Sequence, residues 1–235
     1  MFASTLVTFL LATFVAAAPG VVLIGDSTVT TNKGWGNGFC SSTSGLARCV
    51  NLSVGGTTTV TWQSQPQYAT MVSTCKNANT YATIQFEFGH NDQKVMDTAT
   101  FAVNLEALVK KVQAAGCLPV LMTSLTRRKF SGNTLTDNLA PYSAQTIAVA
   151  KKLGLPLLPL LADSMTYVQK LGPAQAAQFN WDYPTPNTDA THLNALGNTY
   201  FGRMVADEVK KNVPALAGNI VANAALSAKI AAGTL

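Results

Sequence analysis

Five short apolar segments alternate along the chain with stretches of amphipathic helical pattern, and this alternation limits the possible folds more than any other feature. The segments are predicted to be buried strands over Val21–Gly25, Cys49–Val54, Tyr81–Phe88, Leu118–Ser124 and Leu155–Leu160. Helices are predicted over Gln65–Lys76, Thr100–Ala115, Tyr142–Leu153 and Asn194–Lys211. Strands that alternate with helices favour a parallel sheet covered by helices on both faces. The sequence therefore predicts an α/β fold.

The chain opens with an uncharged apolar run, Leu6–Val15, which is followed by the small residues Ala16–Ala18. A helix that spans a bilayer needs roughly 20 apolar residues, and Pro19 ends this run too early. A buried N-terminal helix or strand is the alternative, but the run has no polar helical face. We expect residues 1–17 to be a signal peptide for secretion. The remaining residues, 18–235, suit one extracellular domain.

The net charge of +5 is spread over the chain without a basic run. Three pairs of lysines lie at the ends of predicted helices, where cations are favoured by the helix dipole; they are Lys110–Lys111, Lys151–Lys152 and Lys210–Lys211. No later segment is long and apolar enough to cross a membrane. We therefore expect neither nucleic acid nor membrane as a partner, and we expect a monomer.

Four cysteines, Cys40, Cys49, Cys75 and Cys117, follow the predicted signal peptide. In a secreted chain an even number permits two disulfides, and four cysteines allow three pairings. A short helix that ends near Cys40 and turns directly into the strand at Cys49 favours that pair, which leaves Cys75 with Cys117. The alternative is that Cys117 is buried and free. With no CxxC and only two histidines, a zinc site is not expected, and neither is another metal or a cofactor.

Ligands of open α/β sheets bind beyond the carboxyl ends of the strands. Four polar clusters fall there or before the last helix: Gly25-Asp26-Ser27-Thr28, Asn51–Thr57, Gly89-His90-Asn91-Asp92 and Asp189–Asn194. Each cluster alone could be an ordinary turn or helix cap. Together they bring a hydroxyl, a glycine pair, an amide and an Asp–His pair to one edge of the sheet.

These groups are suited to nucleophilic catalysis. Ser27 follows the first strand on a turn that can present its hydroxyl at the sheet edge. Asp189 stands three residues before His192, so its carboxylate can reach Nδ1 and fix the tautomer of the base. Asn91 can donate to a developing oxyanion, while His90 is expected to support the loop that carries Asn91.

The four clusters resemble the blocks of the SGNH (GDSL-type) hydrolases, whose invariant residues are Ser, Gly, Asn and His. The match assigns Ser27, Gly56, Asn91, and Asp189 with His192. Gly55 is the alternative to Gly56. The resemblance implies a serine esterase with Ser27 as nucleophile, His192 as base and Asp189 as its partner. It also implies an oxyanion hole made by the backbone N–H groups of Ser27 and Gly56 and the Asn91 amide.

A narrower resemblance is to the rhamnogalacturonan acetylesterases, carbohydrate esterase family twelve. The matching motifs are Gly25-Asp26-Ser27-Thr28, Gly34-Trp35-Gly36, Phe88–Asp92, Thr126-Arg127-Arg128 and Thr191–Asn194. This resemblance implies a three-layer α/β/α sandwich with a five-stranded parallel sheet in flavodoxin-like order. It also implies the removal of acetyl groups from acetylated pectic polysaccharide.

Arg127 and Arg128 follow the fourth strand and are candidates for binding substrate. Guanidinium groups bind carboxylates in bidentate fashion, and galacturonate in pectin offers one per uronic residue. Side chains of consecutive residues diverge, so at most one is expected to face the pocket. The alternative is that one makes an internal ion pair and the other is solvated.

Two rival functions remain. A broad-specificity GDSL esterase or lipase, or an acetylxylan esterase, would use the same catalytic residues. No apolar lid is visible for a lipase, and residues 172–188 carry polar and aromatic side chains instead. A polysaccharide-binding protein without activity is expected to lack Ser27 or His192. The α/β-hydrolase elbow and the phosphate-binding loop are both missing from the sequence.

Overall fold

The computed structural model describes residues 18–76, 80–84, 88–185 and 189–235, so the predicted signal peptide lies outside the described residues. The strands in chain order are β1 (Gly20–Ile24), β2 (Arg48–Asn51), β3 (Thr80–Ile84), β4 (Leu118–Met122), β5 (Phe130–Ser131), β6 (Thr134–Leu135) and β7 (Leu157–Leu158). Five of them form a parallel sheet in the order β2-β1-β3-β4-β7, while β5 and β6 form a small antiparallel hairpin. This sheet has the predicted flavodoxin-like order.

The helices are α1 (Gly36–Ser41), α2 (Pro66–Cys75), α3 (Gly89–Asp92), α4 (Thr98–Ala114), α5 (Ala140–Leu153), α6 (Leu160–Ala176), α7 (Ala195–Asn212) and α8 (Ala224–Ala232). Buried side chains of α1, α6 and α7 pack on one face of the sheet, and those of α2, α4 and α5 pack on the other. The predicted three-layer α/β/α sandwich is confirmed.

Strand β1 shows why the predicted strands are apolar without a break. Val21 and Leu23 belong to the core that also holds Phe201 of α7. Val22 and Ile24 point to the opposite face and join the core around α4. All four side chains are buried. A strand that is covered on both faces needs apolar residues at every position.

The main error of the sequence interpretation concerns α6. The apolar segment Leu155–Leu160 was expected to be one strand, but β7 holds only two residues and α6 begins at Leu160. Pro159 separates the two elements, and the apolar residues continue across the junction, so their pattern does not reveal it. Gly172 interrupts the helical pattern with a φ of +71°.

Two disulfides join the elements in the predicted pairs. Cys40–Cys49 links α1 to β2, and Cys75–Cys117 links the end of α2 to the residue before β4. Cys117 is therefore not free. The chain-entropy account assigns such loops roughly 2.5–4 kcal/mol each. Within the ranges described above, none of the helices combines the length and hydropathy that crossing a bilayer requires.

Candidate active site

A serine, a histidine and an aspartate form a chain of hydrogen bonds at the carboxyl edge of the sheet. The Ser27 hydroxyl lies 2.7 Å from Nε2 of His192, although the two residues are 165 positions apart. Nδ1 of His192 lies 2.5 Å from Oδ2 of Asp189. A carboxylate only accepts, so Nδ1 carries the proton and Nε2 accepts from the serine. In this arrangement an imidazole can remove the proton of a serine hydroxyl.

The segment around Asp189 holds its carboxylate in place. Oδ1 of Asp189 accepts from the backbone N–H groups of Thr191 and His192, at 3.0 and 3.1 Å. Its own N–H donates to Asp182 at 2.8 Å. Burial acts to raise the pKa of Asp189, but the hydrogen bonds from His192 and Thr191 outweigh it and lower the pKa below its usual value. The group therefore faces the imidazole as a carboxylate.

A buried carboxyl group shapes the turn that carries the nucleophile. Oδ1 of Asp26 accepts from the backbone N–H and the hydroxyl of Thr28, at 2.9 and 2.8 Å. Its other oxygen accepts from Nδ2 of Asn91 at 3.3 Å. Burial raises the pKa of Asp26 to about 7, against the opposing hydrogen bonds from Thr28. Asp26 thus touches both the turn of Ser27 and a predicted oxyanion donor.

The predicted oxyanion residues meet beside Ser27. Asn91 also donates from Nδ2 to the backbone carbonyl of Thr57 at 3.0 Å, so two acceptors orient its amide. Gly56 has a φ of +78°, which favours glycine. A Cβ added to Gly55 would lie 3.6 Å from the Cβ of Ser27, so this loop passes directly beside the nucleophile. Ser27, Gly56 and Asn91 line one cavity.

The second histidine has a different environment. His90 is buried, and its Nε2 donates to the backbone carbonyl of Leu125 at 3.0 Å. Burial and then the charge of Arg127 lower the pKa of His90 to about 3. A neutral, buried ring of this kind supports the loop of Asn91. His192 is the histidine that bonds to Ser27.

Arg127 and Arg128 have different positions. Arg127 lines the cavity, and its guanidinium donates to Asn138 at 2.7 Å and to Thr191 at 3.3 Å.

Arg128 is buried and does not line the cavity, so the prediction that it is a candidate for binding substrate is wrong. It donates to the side chain of Asn180 and to the backbone carbonyl of His192, both at 2.7 Å. These contacts hold the backbone of His192, the base. They also occupy the guanidinium of Arg128, which does not contact the cavity.

The sequence model of the GDSL-like lipase/acylhydrolase family matches residues 23–200 of this chain. The chain belongs to that family. Ester hydrolysis is accordingly its class of reaction. A curated relative, the rhamnogalacturonan acetylesterase RhgT of Bacillus subtilis (strain 168), is 29% identical over an alignment of 210 positions, which covers 81% of this chain and 89% of the relative.

Solved structures share the fold at lower identity. Protein YXIM of Bacillus subtilis matches with a TM-score of 0.70 and 21% identity over 83% of this chain, which spans 56% of that protein. The acetyl xylan esterase AlAXEase has a TM-score of 0.58 and 17% identity, covering 81% of this chain and 99% of its own. The acetylxylan esterase Axe2 of Geobacillus stearothermophilus has a TM-score of 0.57 and 14% identity, and the match covers 82% of this chain and 95% of Axe2.

The cavity of this GDSL-like hydrolase measures about 420 Å³ and is open to solvent at one side. Two lysines that the sequence interpretation did not single out, Lys33 and Lys94, line it together with Arg127. The ammonium of Lys94 donates to Oδ1 of Asn91 at 3.2 Å. Lys94 could have been found from the sequence because it stands three residues after Asn91, whereas Lys33 lies outside all of the motifs that match the family. In the described part of the chain, no three His, Cys, Asp or Glu side chains are grouped as a metal site would require.

Proposed function

We propose that this chain is a secreted serine esterase that removes acetyl groups from acetylated pectic polysaccharide, rhamnogalacturonan in particular. The observation that carries the proposal is the hydrogen-bond chain from Ser27 through His192 to Asp189. The loop of Gly56 and the side chain of Asn91 line the same cavity as Ser27, which supports a role for both in holding an oxyanion.

The proposed reaction has two steps. Nε2 of His192 takes the proton of Ser27 as the serine oxygen attacks the acetyl carbonyl. The oxyanion is held by the backbone N–H groups of Ser27 and Gly56 and by Asn91, whose Nδ2 exchanges its longer bond, 3.3 Å to Asp26, for the oxyanion. The C–O bond to the sugar then breaks, and His192 returns the proton to the sugar oxygen. Water, activated by the same histidine, attacks the acetyl-serine and releases acetate.

Two observations support an acidic polysaccharide. The 29% identical relative is a rhamnogalacturonan acetylesterase. The cavity is lined by three cationic side chains, Lys33, Lys94 and Arg127, and no carboxylate is among the described residues that line it. A positive cavity attracts a chain of uronic acids.

The test is acetate release from a panel of acetylated rhamnogalacturonan, homogalacturonan and xylan at equal acetyl content. We expect the rate to be highest on rhamnogalacturonan and lowest on the neutral xylan. Ser27→Ala, which removes the nucleophile and leaves the buried turn intact, should lower each rate by at least roughly 1,000-fold. A faster reaction on xylan would contradict the pectic substrate. For secretion, we expect the culture medium to contain a chain that begins at Ala18, which an intact-mass measurement checks.

A further inference from the structure

Trp181 and Lys33 form a pair at the rim of the cavity, outside the hydrogen-bond chain of Ser27. The ammonium of Lys33 lies 4.9 Å from the centroid of the indole ring. The N–H of Trp181 donates to the carbonyl of His192 at 3.0 Å, and the carbonyl of Lys33 accepts from Leu193 at 2.8 Å. The main chain therefore fixes both residues to the segment of the base.

The indole of Trp181 is more exposed than the other two tryptophans. It is 39% exposed, while Trp35 and Trp62 are fully buried. Their rings complete the cores, whereas the ring of Trp181 offers a flat apolar surface to solvent beside a reaction centre. The electron-rich face of an aromatic ring attracts groups with partial positive charge. The axial C–H bonds of a sugar ring are such groups.

The charge of Lys33 is not balanced by a neighbouring acid. In the part of the chain that is described, no carboxylate lies within ion-pair distance of Lys33, whose cation contacts the indole instead. Away from the cavity, Lys110 and Lys152 both pair with Glu106, at 2.8 and 2.7 Å. A cation beside a ring is held weakly at an exposed site, so an incoming carboxylate can replace the indole as its partner.

We propose that Trp181 and Lys33 form a subsite for a uronate residue of the polysaccharide. The sugar ring stacks on the indole, and its carboxylate binds the ammonium of Lys33. This inference rests on the proposed function, because it places a uronate of the acetylated polysaccharide beside the reaction centre. The sugar ring of that uronate contacts Trp181, and its charge is bound by Lys33.

The kinetic test uses an acetylated rhamnogalacturonan oligosaccharide, the same oligosaccharide with its carboxyl groups reduced to alcohols, and 4-nitrophenyl acetate. Lys33→Met should raise KM on the acidic oligosaccharide by about tenfold, the effect of one charge-assisted contact. It should leave kcat on that substrate and both other reactions unchanged. Lys33→Arg should restore KM. Trp181→Ala should raise KM on both oligosaccharides, because the reduced sugar still stacks.

The matched control is Lys151→Met, which removes the same charge from the exposed end of α5, remote from the cavity. An equal rise in KM for Lys33→Met and Lys151→Met would overturn the subsite in favour of a long-range effect of net charge. An equal loss by Lys33→Met on the acidic and the reduced oligosaccharides would also overturn it.

A binding measurement separates the subsite from the deacetylation itself. Titration of the wild-type chain with an unacetylated rhamnogalacturonan oligosaccharide should change its tryptophan fluorescence, because the one exposed indole of the three described tryptophans is Trp181. The change should vanish in Trp181→Ala and weaken in Lys33→Met or at high salt. No binding by the wild type would refute the subsite. Binding without acetate release from any polysaccharide would instead refute the proposed function.

Discussion

Two of the cavities lined by described residues have opposite character. The reaction cavity, about 420 Å³, lies at the carboxyl edge of the sheet, and its side chains are hydrogen-bonded to one another. The second, about 300 Å³, lies between α6, α7 and α8 and shares no lining residue with the first. It contains Glu208, a buried carboxyl group.

The carboxyl groups of Asp189, beside the reaction cavity, and Glu208, in the second cavity, have different environments. Asp189 receives three hydrogen bonds at its carboxylate, and its pKa lies below the usual value. Glu208 lies beside Asp163, and no hydrogen-bond donor among the described residues reaches its carboxyl oxygens. Burial and the charge of Asp163 raise its pKa well above the usual value. Neither the volume of a cavity nor a buried carboxyl group identifies the reaction site. The hydrogen bonds that converge at the carboxyl ends of the strands identify it.

The largest expected effect separates the two histidines. His192→Ala should lower kcat/KM on 4-nitrophenyl acetate by at least roughly 1,000-fold, because it removes the base. His90→Ala should lower it by less than about tenfold, and should lower the melting temperature, because the buried bond to Leu125 is lost. Kinetics and thermal unfolding of both variants check this. Equal losses of activity would remove the assignment of His192.

The next largest effect on kcat is expected from one of two buried aspartates that lie behind the oxyanion loop. Asp26 accepts from Asn91, whereas Asp92 accepts from the backbone and hydroxyl of Thr59. In Asp26→Asn the new side chain can turn an N–H group towards the N–H group of Asn91, so the acceptor that orients Asn91 is lost. We expect kcat to fall by roughly 10–100-fold. Asp92→Asn should change kcat by less than about fivefold. A similar fall in both would show that the two carboxyls serve packing alone.

The same pair predicts a dependence of stability on pH. Burial raises the pKa of Asp26 to about 7 and that of Asp92 to about 6. The folded chain therefore binds more protons than the unfolded chain between about pH 4 and 7, so these groups make the free energy of unfolding fall as pH rises through that range. Urea unfolding of wild type and Asp26→Asn checks the sign. The variant should show the smaller decline, and a steeper decline in the variant would refute the assignment.

A smaller change is expected from the two arginines. Arg127→Met should raise KM on acetylated pectin by roughly 3–10-fold with 4-nitrophenyl acetate unaffected, because binding is lost and not chemistry. Arg128→Met should lower stability by roughly 2–4 kcal/mol, because Asn180 and the carbonyl of His192 lose a charged donor. Steady-state kinetics and urea unfolding distinguish the two results. No loss on pectin with Arg127→Met would leave it a structural residue.

The smallest effect belongs to the second cavity. Glu208→Gln should stabilise the fold at pH 8 by on the order of 1 kcal/mol, because the raised pKa means that ionisation opposes folding there. The gain should shrink towards pH 4, and activity should not change. The control is Glu106→Gln, whose carboxylate has its pKa lowered to about 2 by Lys110 and Lys152. That variant should lose stability at pH 8. A loss of esterase activity with Glu208→Gln would contradict the assignment of the reaction to the first cavity alone.

The sequence predicted β1 and β4 well because these strands are buried on both faces. β1 and β4 begin within one residue of the predicted positions, and Asn194 caps α7 by accepting from Gly197, as its place at the predicted helix start indicates. The junction of β7 and α6 was missed because an apolar run fits either element. The disulfide pairs followed from the short distance along the chain between Cys40 and Cys49.

The sequence by itself determined which groups stand at the strand ends, since the carboxyl ends of parallel strands meet at one edge. The tertiary structure alone decided how those groups are used: which arginine faces the cavity, that Asp26 reaches Asn91, and that Lys33 lies over Trp181. The reason is physical. Alternation and spacing follow from the backbone and are local, whereas the direction of a side chain depends on partners far along the chain, as for Asp26 and Asn91, which are 65 positions apart.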